Sequence, residues 1–186
     1  MPIDIKKGWI EIICGPMFSG KTEELIRRLK RALIANNVLK IFKPTIDNRY
    51  SSTHIVSHNK NSIESEVVEK SIDILKKSRN ADVVGIDEVQ FFDDDIIDIA
   101  NQLANKGKRV IIAGLDRDYL SNPFDSVSQL LSHAEIITKL NAICILCGDK
   151  AFFSNRISDD NKQLLVGEKD KYEALCRECF NKKRNN

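Results

Sequence analysis

The sequence predicts an α/β fold in which helices flank a parallel sheet with a phosphate-binding loop (P-loop), followed by a small C-terminal zinc-binding domain. Short apolar strands alternate with helices, which is typical of a mostly parallel sheet. Residues Gly15–Thr22 spell G-x-x-x-x-G-K-[ST], and two C-x-x-C pairs lie near the C-terminus. We place the domain boundary near Lys139, which gives a nucleotide-binding domain at 1–139 and a zinc-binding domain at 140–186.

The elements of the first domain follow from apolar runs for strands and from helical spacing of leucines for helices. They are a strand at 9–14, a helix at 23–34, a strand at 38–44, a long polar segment at 45–61, a helix at 71–79, a strand at 81–86, a helix at 93–106 and a strand at 108–113. Ser71 is the expected N-cap of its helix, and the aspartates at 93–95 suit the start of theirs. Short strands around the cysteines are expected from Glu135 on.

Composition and charge describe an ordinary globular protein. The 186 residues are 42% hydrophobic and 30% charged, which suits one domain with a small appendage. No apolar run is long enough to cross a membrane and no signal peptide begins the chain, so we expect a cytoplasmic protein without a membrane partner. The net charge of +2 argues neither for nor against a nucleic-acid partner. The basic face of the first helix lacks interleaved aromatic residues, so we expect no nucleic-acid partner.

The glycine-rich loop predicts ATP and Mg²⁺ as cofactors. Glycines let successive backbone N–H groups face phosphate oxygens, the lysine adds a charge for the β and γ phosphates, and the threonine hydroxyl is a Mg²⁺ ligand. The alternative is a chance loop of the same letters, which the strand before it and the helix after it disfavour. The loop residues are Gly15, Pro16, Met17, Phe18, Ser19, Gly20, Lys21 and Thr22.

Two further clusters follow predicted strands. Asp87 comes directly after the apolar run at 83–86, and we expect that strand to lie beside the first one, so that Asp87 reaches Mg²⁺. Glu88 can take a proton from an acceptor hydroxyl, although such acid pairs are also often solvated or capping. Apolar and aromatic residues at 114–119 and 123–124 can sandwich a planar ligand, with ordinary core packing as the open alternative.

Four cysteines predict a structural Zn²⁺ site, because two C-x-x-C turns in a reducing compartment complete a tetrahedron of thiolates. These are Cys144, Cys147, Cys176 and Cys179. A redox-active C-x-x-C is the alternative, but such pairs come singly and open a helix. The segment between the pairs is longer than a zinc ribbon needs, so the metal would pin the base of a long loop.

In their order along the chain, these motifs resemble those of the small zinc-containing thymidine kinases, the cellular and bacterial type that poxviruses share. The P-loop alone is generic, whereas Asp-Glu-x-Gln-Phe-Phe together with the cysteine block is specific. The matching segments are 15–22, 47–50, 87–92, 114–119 and 167–180. The resemblance implies ATP-dependent phosphorylation of the 5′-hydroxyl of thymidine to dTMP in deoxynucleotide salvage. It also implies a homotetramer that is inhibited by dTTP.

The resemblance assigns roles residue by residue, with Glu88 as the catalytic base. Beyond the P-loop, the residues that it implies around ATP are Asp47, Arg49, Asp87, Glu88, Val89 and Gln90, with Thr22 and Asp87 on Mg²⁺. The residues that it implies around thymidine are Met17, Phe91, Leu115, Tyr119, Phe124, Gln163, Leu164, Leu165, Val166, Gly167 and Tyr172. Residues 163–167 would belong to a lasso, the segment between the cysteine pairs, that closes over the base.

The sequence departs from the family pattern at two places. Val89 stands where a small residue is usual and would crowd the acceptor side, and residues 120–122 differ from the commoner basic or glycine-containing stretch. Two other functions stay open. One is a P-loop kinase or ATPase with another acceptor, and the other is a zinc-ribbon protein that docks nucleic acid and uses ATP as a switch.

Overall fold

A six-stranded parallel sheet organises the chain in the computed structural model, which describes residues 7–46, 54–56, 61–157 and 171–184. Its strands are β1 (Trp9–Gly15), β2 (Leu39–Pro44), β5 (Glu66–Val68), β6 (Val83–Ile86), β7 (Arg109–Leu115) and β8 (Ile136–Lys139). Their order across the sheet is β5-β2-β6-β7-β1-β8, and each neighbouring pair is parallel. The predicted α/β class is therefore confirmed.

Helices cover both faces of this sheet, and three two-stranded sheets complete the described part of the chain. The helices are α1 (Lys21–Ile34), α2 (Ser71–Lys77), α3 (Ile96–Asn105), α4 (Asp125–His133) and α5 (Arg177–Arg184). The small sheets pair β3 (His54–Val56) with β4 (Ser62–Glu64), β9 (Ala142–Ile143) with β10 (Lys150–Ala151), and β11 (Phe153–Arg156) with β12 (Tyr172–Leu175).

Two apolar cores lie on opposite faces of the sheet. On one face, Leu25 and Leu29 of α1 pack against Ile13 and Ile111. On the other, residues of α2, α3 and α4 pack around Ile12 and its neighbours on β2, β6 and β7. In the central strands β6 and β7 the apolar residues between the strand ends are buried on both faces, which explains why these strands read as continuous hydrophobic runs.

The predicted neighbour of the first strand is wrong. β6 does not lie beside β1, because β7 lies between them and pairs with both. All seven residues of β7 pair with β1, and its centre is completely buried. The long run at 109–115 therefore takes the position beside β1 that was expected for the strand before Asp87. The carboxyl ends of β1 and β6 still meet the same edge of the sheet.

Helix starts also differ from the prediction. Lys70, not Ser71, is the N-cap of α2, and the Ser71 backbone N–H donates to Asp93 Oδ2 at 3.2 Å. Asp93 thus caps the neighbouring helix, and α3 begins only at Ile96. The three aspartates thus precede α3, with Asp95 at its N-cap.

Several elements were not predicted as they occur, among them the short strands β4 and β5. Helix α4 at Asp125–His133 was not predicted, and it buries Val127 and Leu130 in the core. Strand β8, expected among the short strands around the cysteines, pairs in parallel with β1 at the edge of the main sheet. Among the helices in the described ranges, none combines the length and apolar composition that a bilayer crossing requires.

A buried carboxylate ties β1 to its surroundings. Glu11 accepts from Arg28 Nη1 at 2.8 Å, from Arg109 Nε at 2.5 Å and from Trp9 Nε1 at 2.8 Å. Burial raises the pKa of Glu11, but the donors Arg109, Trp9 and Arg28 outweigh it and lower that pKa below 4.5. The stabilisation is therefore complete above the ordinary pKa and is lost as the pH falls through the lowered one.

We expect Glu11→Ala to lower the free energy of unfolding by about 3 kcal/mol, because it leaves Arg28 without its buried partner. The measurement is urea unfolding at neutral pH and at acid pH, where the difference from the wild type should shrink. Glu69→Ala, at an exposed position, is the matched control and should change stability by no more than about 0.5 kcal/mol. Equal losses in the two variants would contradict the network's role.

Candidate active site

The candidate site lies at the carboxyl edge of the main sheet. Because its strands are parallel, the loop after β1, the acids after β6 and the turn after β7 meet at this edge. The structure thus brings Lys21, Asp87, Glu88 and Leu115 to the same edge, as the motifs predicted. Asp47, Arg49 and Gln163–Gly167 lie outside the described residues, so their predicted roles stay predictions.

The P-loop joins β1 to α1 through backbone that favours glycine. Gly15 has φ 148°, and a β-carbon there would lie 2.5 Å from the Leu140 carbonyl oxygen. Gly20, with φ 82°, is the N-cap of α1 and has no side chain to occupy the helix N-terminus. No side chain therefore caps the N-terminus of α1. An anion could bind the first N–H groups of the helix there, and the helix dipole favours negative charge at this end.

The cation of the P-loop is Lys21, the first residue of α1. Its Nζ donates to the Pro16 carbonyl at 2.8 Å, and Ser19 Oγ donates to the same carbonyl at 2.8 Å. These bonds fold the lysine side chain back along the loop. Thr22 follows it in the first turn, half-buried, so that a hydroxyl and an ammonium lie at the N-terminus of α1.

Two acids end β6. Asp87 is buried, and its Oδ1 accepts the Glu88 backbone N–H at 3.0 Å. Glu88 has φ 51° and ψ 45°, the left-handed conformation, which costs a residue with a β-carbon about 1–2 kcal/mol. Such strain persists where surrounding contacts impose it, and it is concentrated at functional sites. The Asp87 carboxylate and the Thr22 hydroxyl are hard oxygen donors, the kind that Mg²⁺ prefers.

The turn Val89–Phe91 directly follows these acids. Val89 is fully buried in the core, and a β-carbon built on Gly114 would lie only 2.6 Å from its Cγ1. Its side chain therefore occupies the space beside Gly114, and the expected crowding of the acceptor side stays a prediction. Phe91, at the end of the turn, is half-buried.

A half-buried wall follows β7. Leu115 and Tyr119 are partly exposed, whereas Phe124 lies in the main core at the N-cap of α4. Within the turn, Asp118 Oδ1 accepts the N–H groups of Leu120 at 2.9 Å and Asn122 at 2.8 Å. The residues that depart from the family pattern are thus held by an aspartate in the turn itself.

One residue of this wall was missed in the sequence. The Arg156 guanidinium lies 3.8 Å from the centroid of the Tyr119 ring, and its Nη2 donates to the Tyr172 hydroxyl at 2.5 Å. Arg156 and Tyr172 are cross-strand partners in β11 and β12. No local motif marks an arginine for such a role, because both of its partners are distant in sequence.

The four predicted zinc ligands come together. Their sulfur atoms all lie within 4.8 Å of one another, and those of Cys147 and Cys176 are 3.6 Å apart. Tetrahedral Zn²⁺ with bonds of about 2.3 Å places its sulfurs about 3.8 Å apart, so the cluster fits the ion. Cys14 is buried in β1 and does not belong to this cluster.

The pKa values of two thiols in the cluster, Cys144 and Cys179, are shifted in opposite directions. Burial raises the pKa of Cys144, but N–H groups of Cys176, Leu146 and Cys147 donate to its sulfur and lower that pKa to about 6. A hydrogen bond with the Cys176 thiol, together with burial, raises the pKa of Cys179 to about 12. Zn²⁺ must therefore displace the proton of Cys179 when it binds.

The cysteine module, residues 142–157 and 171–184, contacts the P-loop directly. The Met17 backbone N–H donates to Ser154 Oγ at 2.9 Å, and the Phe18 ring packs against the apolar core of the module. Arg117 lies 4.4 Å from the centroid of the Phe153 ring. The module thus helps to hold the phosphate-binding loop in place.

The fold occurs in a distant solved structure. The flagellar accessory protein FlaH of Methanocaldococcus jannaschii has a TM-score of 0.53 and 14% identity, over 78% of this chain and 76% of that one. At this identity the likeness concerns the fold alone.

Closer relatives are thymidine kinases. That of Bacteroides thetaiotaomicron is 55% identical over 94% of this chain and 88% of its own length. The thymidine kinase of Rhodothermus sp. is 53% identical over 93% of this chain and 81% of its own length. The thymidine kinase of Porphyromonas gingivalis is 51% identical over 96% of this chain and 87% of its own length. The family model described as "Thymidine kinase" matches residues 8–180. With the P-loop, the acid pair and the cysteine cluster in one structure, the chain belongs to the thymidine kinase family.

Proposed function

We propose that the chain transfers the γ-phosphoryl group of ATP to the 5′-hydroxyl of thymidine, which gives dTMP and ADP in deoxynucleotide salvage. The observation that carries the proposal is the meeting of a P-loop with an acid pair at one sheet edge, in a chain that the family model matches along nearly its whole length. The six-stranded sheet supplies a rigid base for both.

The phosphates of ATP would bind the backbone N–H groups of Gly15–Thr22 and the ammonium group of Lys21. The lysine would exchange its Pro16 carbonyl partner, 2.8 Å away, for a charged phosphate oxygen, which makes a stronger bond. Thr22 and Asp87 would hold Mg²⁺, which neutralises charge that develops on the phosphates. Asp47 and Arg49 are proposed near the triphosphate from the family resemblance.

Glu88 is the proposed general base. Its carboxylate would accept the 5′-hydroxyl proton as the thymidine oxygen bonds to the γ-phosphorus and the bond to the β–γ bridging oxygen breaks. In a loose transition state this proton moves late, so positioning of the two oxygens contributes much of the rate. The turn Val89–Phe91, fixed by the buried Val89 side chain, supports that positioning.

The thymine would lie against the wall at the carboxyl end of β7. We propose Met17, Phe91, Leu115, Tyr119, Phe124 and Tyr172 as its side-chain contacts, with backbone groups of Gln163–Gly167 reading the base edge. Zn²⁺ would fix the base of that lasso, because Cys176 directly follows β12. A homotetramer, inhibition by dTTP, a cytoplasmic location and the lack of a nucleic-acid partner complete the proposal.

Incubation with Mg-ATP and a panel of nucleosides, with products identified by mass, tests the proposal. Thymidine 5′-monophosphate as the dominant product supports it. A different dominant nucleotide would leave a P-loop kinase with another acceptor. ATP consumption without a nucleotide product, combined with salt-dependent binding of DNA or RNA, would favour the nucleic-acid alternative.

A further inference from the structure

The amide of Gln90 lies between the proposed base and the end of β7. Its Nε2 donates to Glu88 Oε2 at 2.5 Å, and its Oε1 accepts the Leu115 backbone N–H at 3.0 Å. Gln90 is only 5% exposed. Because the backbone N–H can only donate, Oε1 must face Leu115, and the NH₂ group must therefore face the carboxylate.

The end of β7 is shaped to receive this amide. A β-carbon on Gly114 would lie 2.8 Å from Gln90 Oε1 and 2.6 Å from Val89 Cγ1. The glycine thus leaves the room in which the turn after Glu88 packs. Both ends of the Gln90 amide are hydrogen-bonded to protein atoms. This arrangement suits a residue that supports its neighbours better than one that binds a phosphate group.

The geometry points to Gln90 as a positioning residue that holds the Glu88 carboxylate toward the acceptor hydroxyl, in place of the ATP contact that the family resemblance implies. This inference rests on the proposed function. Glu88 has a left-handed backbone, which a residue with a β-carbon rarely adopts. A donor anchored on the neighbouring strand narrows the orientations of that side chain. Fixed geometry of this kind contributes to rate through orientation rather than through substrate affinity.

Two substitutions test the role. Q90L removes both hydrogen bonds at similar volume, and we expect kcat to fall roughly 10- to 100-fold while KM for ATP and for thymidine changes by less than roughly threefold. Q90E keeps an acceptor for the Leu115 N–H but loses the donor to Glu88, so kcat should fall at least as far. Q102E makes the same chemical change at an exposed position of α3 and should match the wild type.

Each alternative role has its own result. If Gln90 only supports Leu115, Q90E retains wild-type kcat, and the inference is overturned. If Gln90 binds ATP, KM for ATP rises with little change in kcat, which also overturns it. Thermal unfolding of each variant shows whether it is folded, and Q90L decides if the added charge of Q90E prevents folding.

The wild type separates this inference from the proposed function. A wild type that phosphorylates no nucleoside overturns the proposed function and the inference with it. A wild type that makes dTMP, beside a Q90L that does so equally well, overturns the inference alone.

Discussion

Glu88→Gln is expected to retain ATP binding and to lose most turnover, with kcat lower by about 10²- to 10⁴-fold, the range for removal of a general base. The amide has the shape of the carboxylate but cannot take the proton of the 5′-hydroxyl. Its oxygen can still accept from Gln90 Nε2, which lies 2.5 Å from Glu88 Oε2 in the wild type. The substitution therefore changes the chemistry of the site more than its structure.

The measurement pairs steady-state rates with an ATP dissociation constant. Glu69→Gln, at an exposed position, is the matched control and should be as active as the wild type. A weakened affinity for ATP would indicate that Glu88 serves the phosphate side. Near-normal turnover would remove Glu88 from the base role.

Features encoded by neighbouring residues could be predicted from the sequence. The P-loop conformation follows from Gly15 and Gly20, because the backbone there has positive φ and one of the two positions lacks room for a β-carbon. The acids after β6 follow from an apolar run that ends at Ile86. The cysteine cluster follows from the C-x-x-C turns, each of which brings two sulfurs to one place. The family resemblance adds site roles that no local pattern carries.

Features that depend on distant pairing could not be predicted in this way. The position of β7 between β6 and β1 is one example. All three strands are apolar runs, so their sequences do not show which of them are neighbours in the sheet. The Gln90 amide meets Leu115 only because β6 and β7 are neighbours. Arg156 likewise reaches Tyr119 only through the packing of the cysteine module on the main sheet. Such contacts are set by tertiary structure, which local propensity does not carry.

Cys176→Ser is expected to release Zn²⁺ and to damage thymidine binding more than ATP binding. A serine hydroxyl is a poor Zn²⁺ ligand at neutral pH, and three remaining thiols leave the tetrahedron incomplete. Structural Zn²⁺ contributes on the order of 10 kcal/mol in small zinc modules, so its loss should unfold much of this one. Because Cys176 directly follows β12, the strand that carries Tyr172 should lose its anchor first.

The damage should be graded with distance from the metal. Loss of β12 frees Tyr172 and removes the hydroxyl that Arg156 Nη2 contacts at 2.5 Å, so the wall beside Tyr119 loosens. The P-loop loses the Met17–Ser154 bond and the packing of Phe18, while Gly15 stays paired within the main sheet. We therefore expect KM for thymidine to rise about 10-fold or more and KM for ATP to rise far less.

Zinc content by metal analysis and the two KM values check this expectation. Cys14→Ala is the matched control, because Cys14 lies in β1 outside the cluster. It should keep its zinc and its thymidine affinity even if some stability is lost. Full activity in zinc-free Cys176→Ser would refute the coupling, since thymidine binding would then be independent of the metal. Equal damage to both KM values would instead mean that the module supports the P-loop as strongly as the nucleoside wall.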